Sequence, residues 1–169
     1  MDADLPILVD ADGLNLLAAD PGLGNKLGKR RYPTLLTPHP GEAGRLLGLS
    51  TSQIQANRFQ AVAALVQRYE CVVILKGSGT LITSPGGDTW LNSTGNPGMA
   101  APGMGDVLSG MIGALVAQGL TAEKAAVTGV WLHGAAGDAL VAGGHGPVGL
   151  TAGELPATGR RQLNRLLEN

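Results

Sequence analysis

Apolar residues along this chain fall into two kinds of run. Short, nearly unbroken runs at Leu5 to Val9, Thr34 to Thr37 and Cys71 to Lys76 read as buried strands. Other apolar sets repeat at helical spacing. Val62, Leu65, Val66 and Tyr69 stand at i, i+3, i+4 and i+7, and Val107, Leu108, Met111, Ile112, Leu115 and Val116 form a second set. Polar punctuation sets the limits. Asp12 is placed to cap a helix through Ala19, and Pro40 suits the first position of a helix that stops at Gly48. Ser50 with Gln53 makes a capping-box pattern ahead of the Val62 helix, and Thr151 with Glu154 makes another before a last helix to Leu167. Thr121 caps a long Ala- and Gly-rich helix to about Ala142, and the helix before it ends near Gly119. Thr80 to Thr83 and Thr89 to Leu91 pattern as a hairpin around Pro85-Gly86-Gly87-Asp88.

Strands alternating with helices predict an α/β protein, a three-layer α/β/α arrangement around a mainly parallel sheet. At 169 residues, positions 1–169 fit a single domain. Ligands of such sheets sit beyond the carboxyl ends of the strands. Asp10, His39, Glu42, Lys76 and Asp106 all follow strands or lead helices.

Charge and composition remove several classes of partner. Twelve Lys+Arg balance 13 Asp+Glu, and no basic run of five or more occurs, so neither nucleic acid nor an anionic membrane is expected as a partner. Aromatics are 3% of the chain, too few for base-stacking platforms. No apolar stretch reaches the ~18 residues of a membrane span. The start, Met1-Asp2-Ala3-Asp4, lacks the features of a signal peptide, so a cytoplasmic location is expected. Cys71, the sole cysteine, lies in an apolar run and reads as a small buried residue.

The candidate chemistry begins at Asn92 to Gly110, which is crowded with glycine before it turns into the apolar helix. Glycines leading into a helix start make an anion site, because the unpaired N–H groups point outward and glycine allows close approach. Gly103, Met104 and Gly105 are expected to cradle a phosphoryl group, and Asp106 to take a proton from a hydroxyl. Taken alone, Gly-Met-Gly-Asp also fits an ordinary helix start with a favourable first-turn acid. Lys76-Gly77-Ser78-Gly79-Thr80 fits either a tight hairpin or a nucleotide cradle with a lysine charge and a threonine hydroxyl. His39 and Glu42, three apart across a Pro-Gly bend, suggest a substrate contact; two ligands make a poor zinc site, and no metal ligands are assigned. His133 and Asp138, beside Gly134 and Gly137, read as parts of a closely packed helix. Neither a P-loop nor the Gly-x-Gly-x-x-Gly fingerprint is present.

Four motifs occur in order: Asp10-Ala11-Asp12-Gly13-Leu14-Asn15-Leu16-Leu17, Thr37-Pro38-His39-Pro40-Gly41-Glu42-Ala43, Leu75-Lys76-Gly77-Ser78-Gly79-Thr80, and Gly95-Asn96-Pro97-Gly98-Met99-Ala100 through Gly103-Met104-Gly105-Asp106-Val107-Leu108-Ser109-Gly110. Together they resemble the ADP-dependent NAD(P)H-hydrate dehydratases of the ribokinase-like superfamily, over nearly the whole chain. The resemblance implies a lyase of nicotinamide-cofactor repair. Its substrate would be hydrated NADH or NADPH, its phosphoryl donor ADP, leaving as AMP, and its ion Mg2+. It implies Asp106 as the acid that contacts and deprotonates the C6 hydroxyl. It implies Gly105 and Lys76 to Thr80 as nucleotide contacts, and His39 as a contact to the hydrated dinucleotide. Two rival readings stand beside it: a vitamin-precursor kinase of the same superfamily, and a catalytically silent nucleotide-binding fragment.

Two departures from the family pattern appear. Pro102 stands where a second glycine is usual, which removes one N–H. The chain also opens just ahead of the Asp10 motif, where the family carries further strand–helix units. The expectation is a C-terminal portion of the domain, with an apolar sheet edge that invites self-association into a homo-oligomer.

Overall fold

The structure, a computed structural model, describes residues 4–168. Five strands form one sheet in chain order: β1 (Ile7–Val9), β2 (Thr34–Leu36), β3 (Val72–Leu75), β4 (Thr80–Thr83) and β5 (Thr89–Asn92). β1, β2 and β3 run parallel, with Leu8 opposite Leu35 and Leu36 opposite Val73. β4 and β5 continue the sheet antiparallel, with Ile74 opposite Ile82 and Ile82 opposite Trp90. The expected hairpin therefore supplies the antiparallel half of a mixed sheet, and helical crossovers supply the parallel half.

Both faces of the central strands are apolar, and their two-residue period divides the core. Leu36, Val73, Leu75 and Leu81 pack toward α1 (Asp12–Ala19), α2 (Pro21–Leu27), α3 (Pro40–Leu47), α4 (Thr51–Ala56) and α5 (Arg58–Tyr69). Leu35, Val72, Ile74 and Ile82 pack toward α6 (Met104–Ala117) and α7 (Ala122–Ala142). α8 (Leu155–Leu167) lies on α7, where Met104, Leu140, Leu150 and Leu155 share a third cluster. The α/β/α layering follows from that alternation. Cys71 is buried, and burial pushes its thiol up to about 12, so it stays protonated. No helix among the described residues is long and apolar enough to cross a membrane.

Three local details differ from the sequence reading. α2 was not expected: Asp20 caps it by accepting the Gly22 amide at 2.8 Å, and Pro21 opens it. The helix behind the Ser50 box is two helices, because Asn57 leaves helical geometry and caps α5 through the Gln60 amide. Asp12 does not cap α1 but is its first residue, behind Ala11.

Ala11 has φ 48° and ψ −116°. The Gly13 amide donates to the Asp10 carbonyl at 3.0 Å, so Asp10 to Gly13 is a tight turn with Ala11 at the positive-φ position of type II′. An L side chain there is strained by roughly 1–2 kcal/mol. Ala11→Gly is expected to raise the unfolding free energy by up to about 1 kcal/mol, once glycine's extra unfolded-state entropy is subtracted. Urea denaturation measures this; a lower value in the variant would show that the turn tolerates alanine freely.

Candidate functional site

α6 starts from a second tight turn. The Met104 amide donates to the Ala101 carbonyl at 3.4 Å, and Gly103 has φ 82° and ψ −9°. These are third-position angles of a type II turn, which favours proline at the second position and glycine at the third. Pro102 thus stiffens the turn, whose hydrogen bond makes no use of an N–H at that position. No side chain caps α6. The Gly105 and Asp106 amides find no protein acceptor among the described residues, so the positive end of a 14-residue helix presents free donors. Asp106 is the third residue of α6, exposed, with no side-chain hydrogen bond among the described residues.

Lys76, Gly77, Ser78, Gly79 and Thr80 line a cavity of about 520 Å³ together with Met104 and Gly105. The volume lies within the range of small-molecule sites, roughly 300–1,000 Å³. Sequence segments some thirty residues apart therefore meet on one cavity, as a two-sided anion site requires. Asp106, Gly103 and His39 are outside its lining. The Thr80 hydroxyl closes its own loop, donating to the Gly77 carbonyl at 3.0 Å.

The opposite wall comes from residues 92–100, pressed onto α7. Asp138 Oδ2 accepts the Gly95 amide at 2.8 Å, and Oδ1 accepts from the Asn96 side chain at 3.0 Å. Asn96 Oδ1 accepts the Gly98 amide at 3.1 Å.

Beneath the α6 start, the Lys76 ammonium is 2.8 Å from Asp10 Oδ1 and 3.9 Å from Glu42 Oε2. The other Asp10 oxygen accepts from Ser109 Oγ at 2.9 Å. Burial alone would raise the Asp10 pKa; the hydrogen bond and charge of Lys76, with Ser109 and Thr37, outweigh it and hold the carboxyl below its ordinary value. A Cβ on Gly105 would lie 3.4 Å from Lys76 Nζ and 3.6 Å from Asp10 Oδ2, so the ion pair abuts the helix start.

His39 caps α3. Its Nδ1 accepts the Gly41 amide at 2.9 Å and the Glu42 amide at 3.4 Å, and Glu42 Oε2 accepts the His39 amide at 2.7 Å. This is a capping box with histidine in the place of serine. Nδ1 is therefore an acceptor, and Nε2 of the half-exposed ring lies 3.4 Å from Glu42 Oε1.

His133 lines the cavity, is 9% exposed, and has no partner for Nε2. Burial lowers its pKa from 6.5 to about 4, opposed by a hydrogen bond to the Met104 backbone. The folded pKa lies below the unfolded one, so the unfolded chain binds more protons between them. Stability is full above 6.5 and is lost as pH falls toward about 4. His133→Gln is expected to flatten this part of the profile in urea titrations. The loss from Asp10, whose pKa is depressed, belongs to more acid pH and should remain. An unchanged slope in the variant would clear His133 of any part.

Among the described residues no group of three or more His, Cys, Asp or Glu side chains could hold a metal. Asp10 and Glu42 already serve Lys76, Ser109 and main-chain amides. The donor set does not fit a protein-caged metal ion.

A profile of the NAD(P)H-hydrate dehydratase family matches residues 1–157. The chain belongs to this family.

The ADP-dependent (S)-NAD(P)H-hydrate dehydratase of Neisseria meningitidis is 43% identical over 166 residues, covering 98% of this chain and 56% of that protein. A crystal structure of the ADP/ATP-dependent NAD(P)H-hydrate dehydratase of Bacillus subtilis, co-crystallised with ATP/Mg2+, superimposes with a TM-score of 0.82. It is 33% identical over 96% of this chain and 56% of that one. A ribokinase-like superfamily protein of Enterococcus faecalis gives a TM-score of 0.73 at 27% identity, covering 93% of this chain and 52% of that one. The chain thus spans about half the length of these relatives, and its fold is ribokinase-like.

Within this dehydratase-family chain, sequence reading missed three contributors. Asp10 was placed near the site but not paired with Lys76, 66 residues away. Ser109 stands in the last family motif but carries no role in the sequence reading, although it follows Asp106 by three residues and so points from nearly the same helix face. Asp138 was read as packing, and its clamp on residues 95–96 reaches across more than forty positions.

Proposed function

We propose that this chain carries the ADP-dependent dehydration of hydrated NADH or NADPH. The observation that carries the reading is the meeting of Lys76–Thr80 and the uncapped α6 start on one cavity, in a chain of the dehydratase family. The Lys76–Thr80 loop holds the nucleotide, and Gly103 to Gly105 accept the phosphoryl group being transferred. Asp106, exposed beside that point, accepts the proton of the C6 hydroxyl as its oxygen attacks the terminal phosphorus of ADP, and AMP leaves. Hydroxide leaves a carbon centre poorly; phosphate leaves well. The ring-nitrogen lone pair then expels phosphate from C6, and loss of a proton from C5 restores the dihydronicotinamide. Hydrated cofactor and ADP become NAD(P)H, AMP and phosphate. The half-exposed His39 ring contacts the hydrated dinucleotide.

Mg2+ would arrive with the nucleotide phosphates, as this ion commonly binds through one or two carboxylates, waters and phosphates. Among the described residues the sheet ends in the edge strands β1 and β5, whose unpaired main-chain groups favour association into a homo-oligomer, which light scattering measures. The substrates suit a cytoplasmic enzyme.

The deciding assay follows recovery of the reduced-nicotinamide absorbance from hydrated cofactor with and without ADP. Recovery that depends on ADP and releases phosphate is the expected result. A phosphorylated product that accumulates without elimination would instead mark a kinase.

A further inference from the structure

Arg58 stands where an arginine is electrostatically misplaced. It is the first residue of α5, at the positive end of the helix, where cations are disfavoured. Burial lowers its pKa as well. Among the described residues its guanidinium meets carbonyl and amide oxygens. Nη2 donates to the carbonyls of Leu75 at 3.0 Å and Gly79 at 3.2 Å. Nη1 and Nη2 each lie 3.4 Å from the Lys76 carbonyl, and Nη1 donates to the Gln55 side chain at 3.1 Å. Gly77 has φ 143°, and a Cβ there would come 2.7 Å from Nη1, so the loop is drawn tightly over the guanidinium.

This gathering of carbonyls fixes the direction of the loop's dipoles. In a trans peptide the C=O and the following N–H point to opposite sides. Carbonyls of Lys76 and Gly79 turned down onto Arg58 send the Gly77 and Thr80 amides the other way. Gly77 N–H points to Thr80 Oγ1 at 3.3 Å. The Gly77 amide is thus engaged within the loop, and what an anion above it gains is that the Lys76 and Gly79 carbonyl oxygens, which would repel it, are turned onto Arg58.

We propose that Arg58 is a positioning residue for the nucleotide. By collecting the carbonyls of Leu75, Lys76 and Gly79 it sets the Lys76–Thr80 loop in its anion-accepting conformation and neutralises the oxygens beneath it. It thereby fixes ADP affinity without touching the nucleotide or the reacting atoms. The proposal rests on reading the cavity as the ADP site.

The test uses Arg58→Ala and Arg58→Lys. Hydrogen–deuterium exchange of residues 76–80, without nucleotide, reads the loop; calorimetry with ADP and steady-state kinetics read its consequence. Arg58→Ala should speed exchange in this segment and raise Kd and KM for ADP about 10- to 100-fold, with kcat nearly unchanged. Arg58→Lys keeps the charge but loses the planar fork, and should resemble the alanine variant. Added guanidinium should restore ADP affinity to Arg58→Ala, and sodium chloride of equal ionic strength should not, a difference that general destabilisation cannot produce. Unchanged exchange, unchanged ADP affinity, or a loss in kcat at constant KM would each overturn the proposal. If the wild-type protein binds no ADP, the reading of the cavity fails, and the exchange result alone decides whether Arg58 sets the loop.

Discussion

Asp106→Asn is expected to lower turnover of hydrated cofactor by about 10²- to 10⁴-fold while leaving ADP affinity within a few-fold. Asparagine keeps the shape of the side chain but cannot accept the hydroxyl proton. The fold should barely notice. Asp106 is exposed and makes no side-chain hydrogen bond among the described residues, so the loss is confined to its interaction with the α6 dipole. That interaction is worth roughly 0.3–1 kcal/mol. Removing a negative charge beside the phosphoryl site should, if anything, tighten nucleotide binding. Absorbance recovery and ADP calorimetry on the same preparation separate the two effects. Turnover near the wild-type rate would remove Asp106 as the base, and parallel loss of ADP binding would make it a structural residue.

Gly134→Ala should have a large effect for a conservative change away from the reacting centre. A methyl group at this buried position on α7 would press into Thr94, meeting its hydroxyl, and would approach the Thr94 carbonyl carbon to 2.7 Å and the Gly95 nitrogen to 2.9 Å. Those last two atoms are backbone, and the Asp138 clamp holds the same segment. The wall formed by residues 92–100 must move off α7, which narrows or distorts the cavity proposed to hold ADP. Overpacking of this kind destabilises by roughly 1–3 kcal/mol, and ADP affinity should fall at least about tenfold. Gly137→Ala is the internal comparison. Its added carbon meets the Met99 side chain, which can rotate away, so its effect should be smaller. Equal losses in the two variants, measured by urea denaturation and ADP titration, would show that crowding at Thr94 is not the cause.

The strands were legible because burial on both faces leaves uninterrupted apolar runs, and Gly48 and Ser50 marked real helix limits. α2 was hidden by Gly22 and Gly24, whose low helix propensity masked the Asp20-Pro21 start signal. Asn57 was hidden for the opposite reason: it interrupts a stretch whose side chains favour helix throughout. In the site, contiguous loops such as Lys76–Thr80 could be read directly, since their glycines and hydroxyl are neighbours in the chain. Pairs such as Asp10–Lys76 and Asp138–Gly95 could not, because parallel strands and crossing helices join positions that share no local pattern. His39 shows a third limit. Its position was noticed, but a histidine is an uncommon helix cap, and its Nδ1 bonds to Gly41 and Glu42 appear only in three dimensions.

The unbroken order of the sheet has a bearing on how such a protein could be recombined. Because strands lie side by side in the order in which they are made, the cavity is drawn from a single run between Lys76 and Gly134. Asp10, His39 and Glu42 belong to an earlier run that ends before α5 begins. A crossover near Cys71 would exchange one run for that of a relative, and it would have to preserve the β2–β3 pairing and the packing of α5 on β3 and β4. Two cations bridge the seam, so a viable chimera needs a lysine at position 76 from the incoming block, and the Asp10 carboxylate and the Arg58 guanidinium from the resident one.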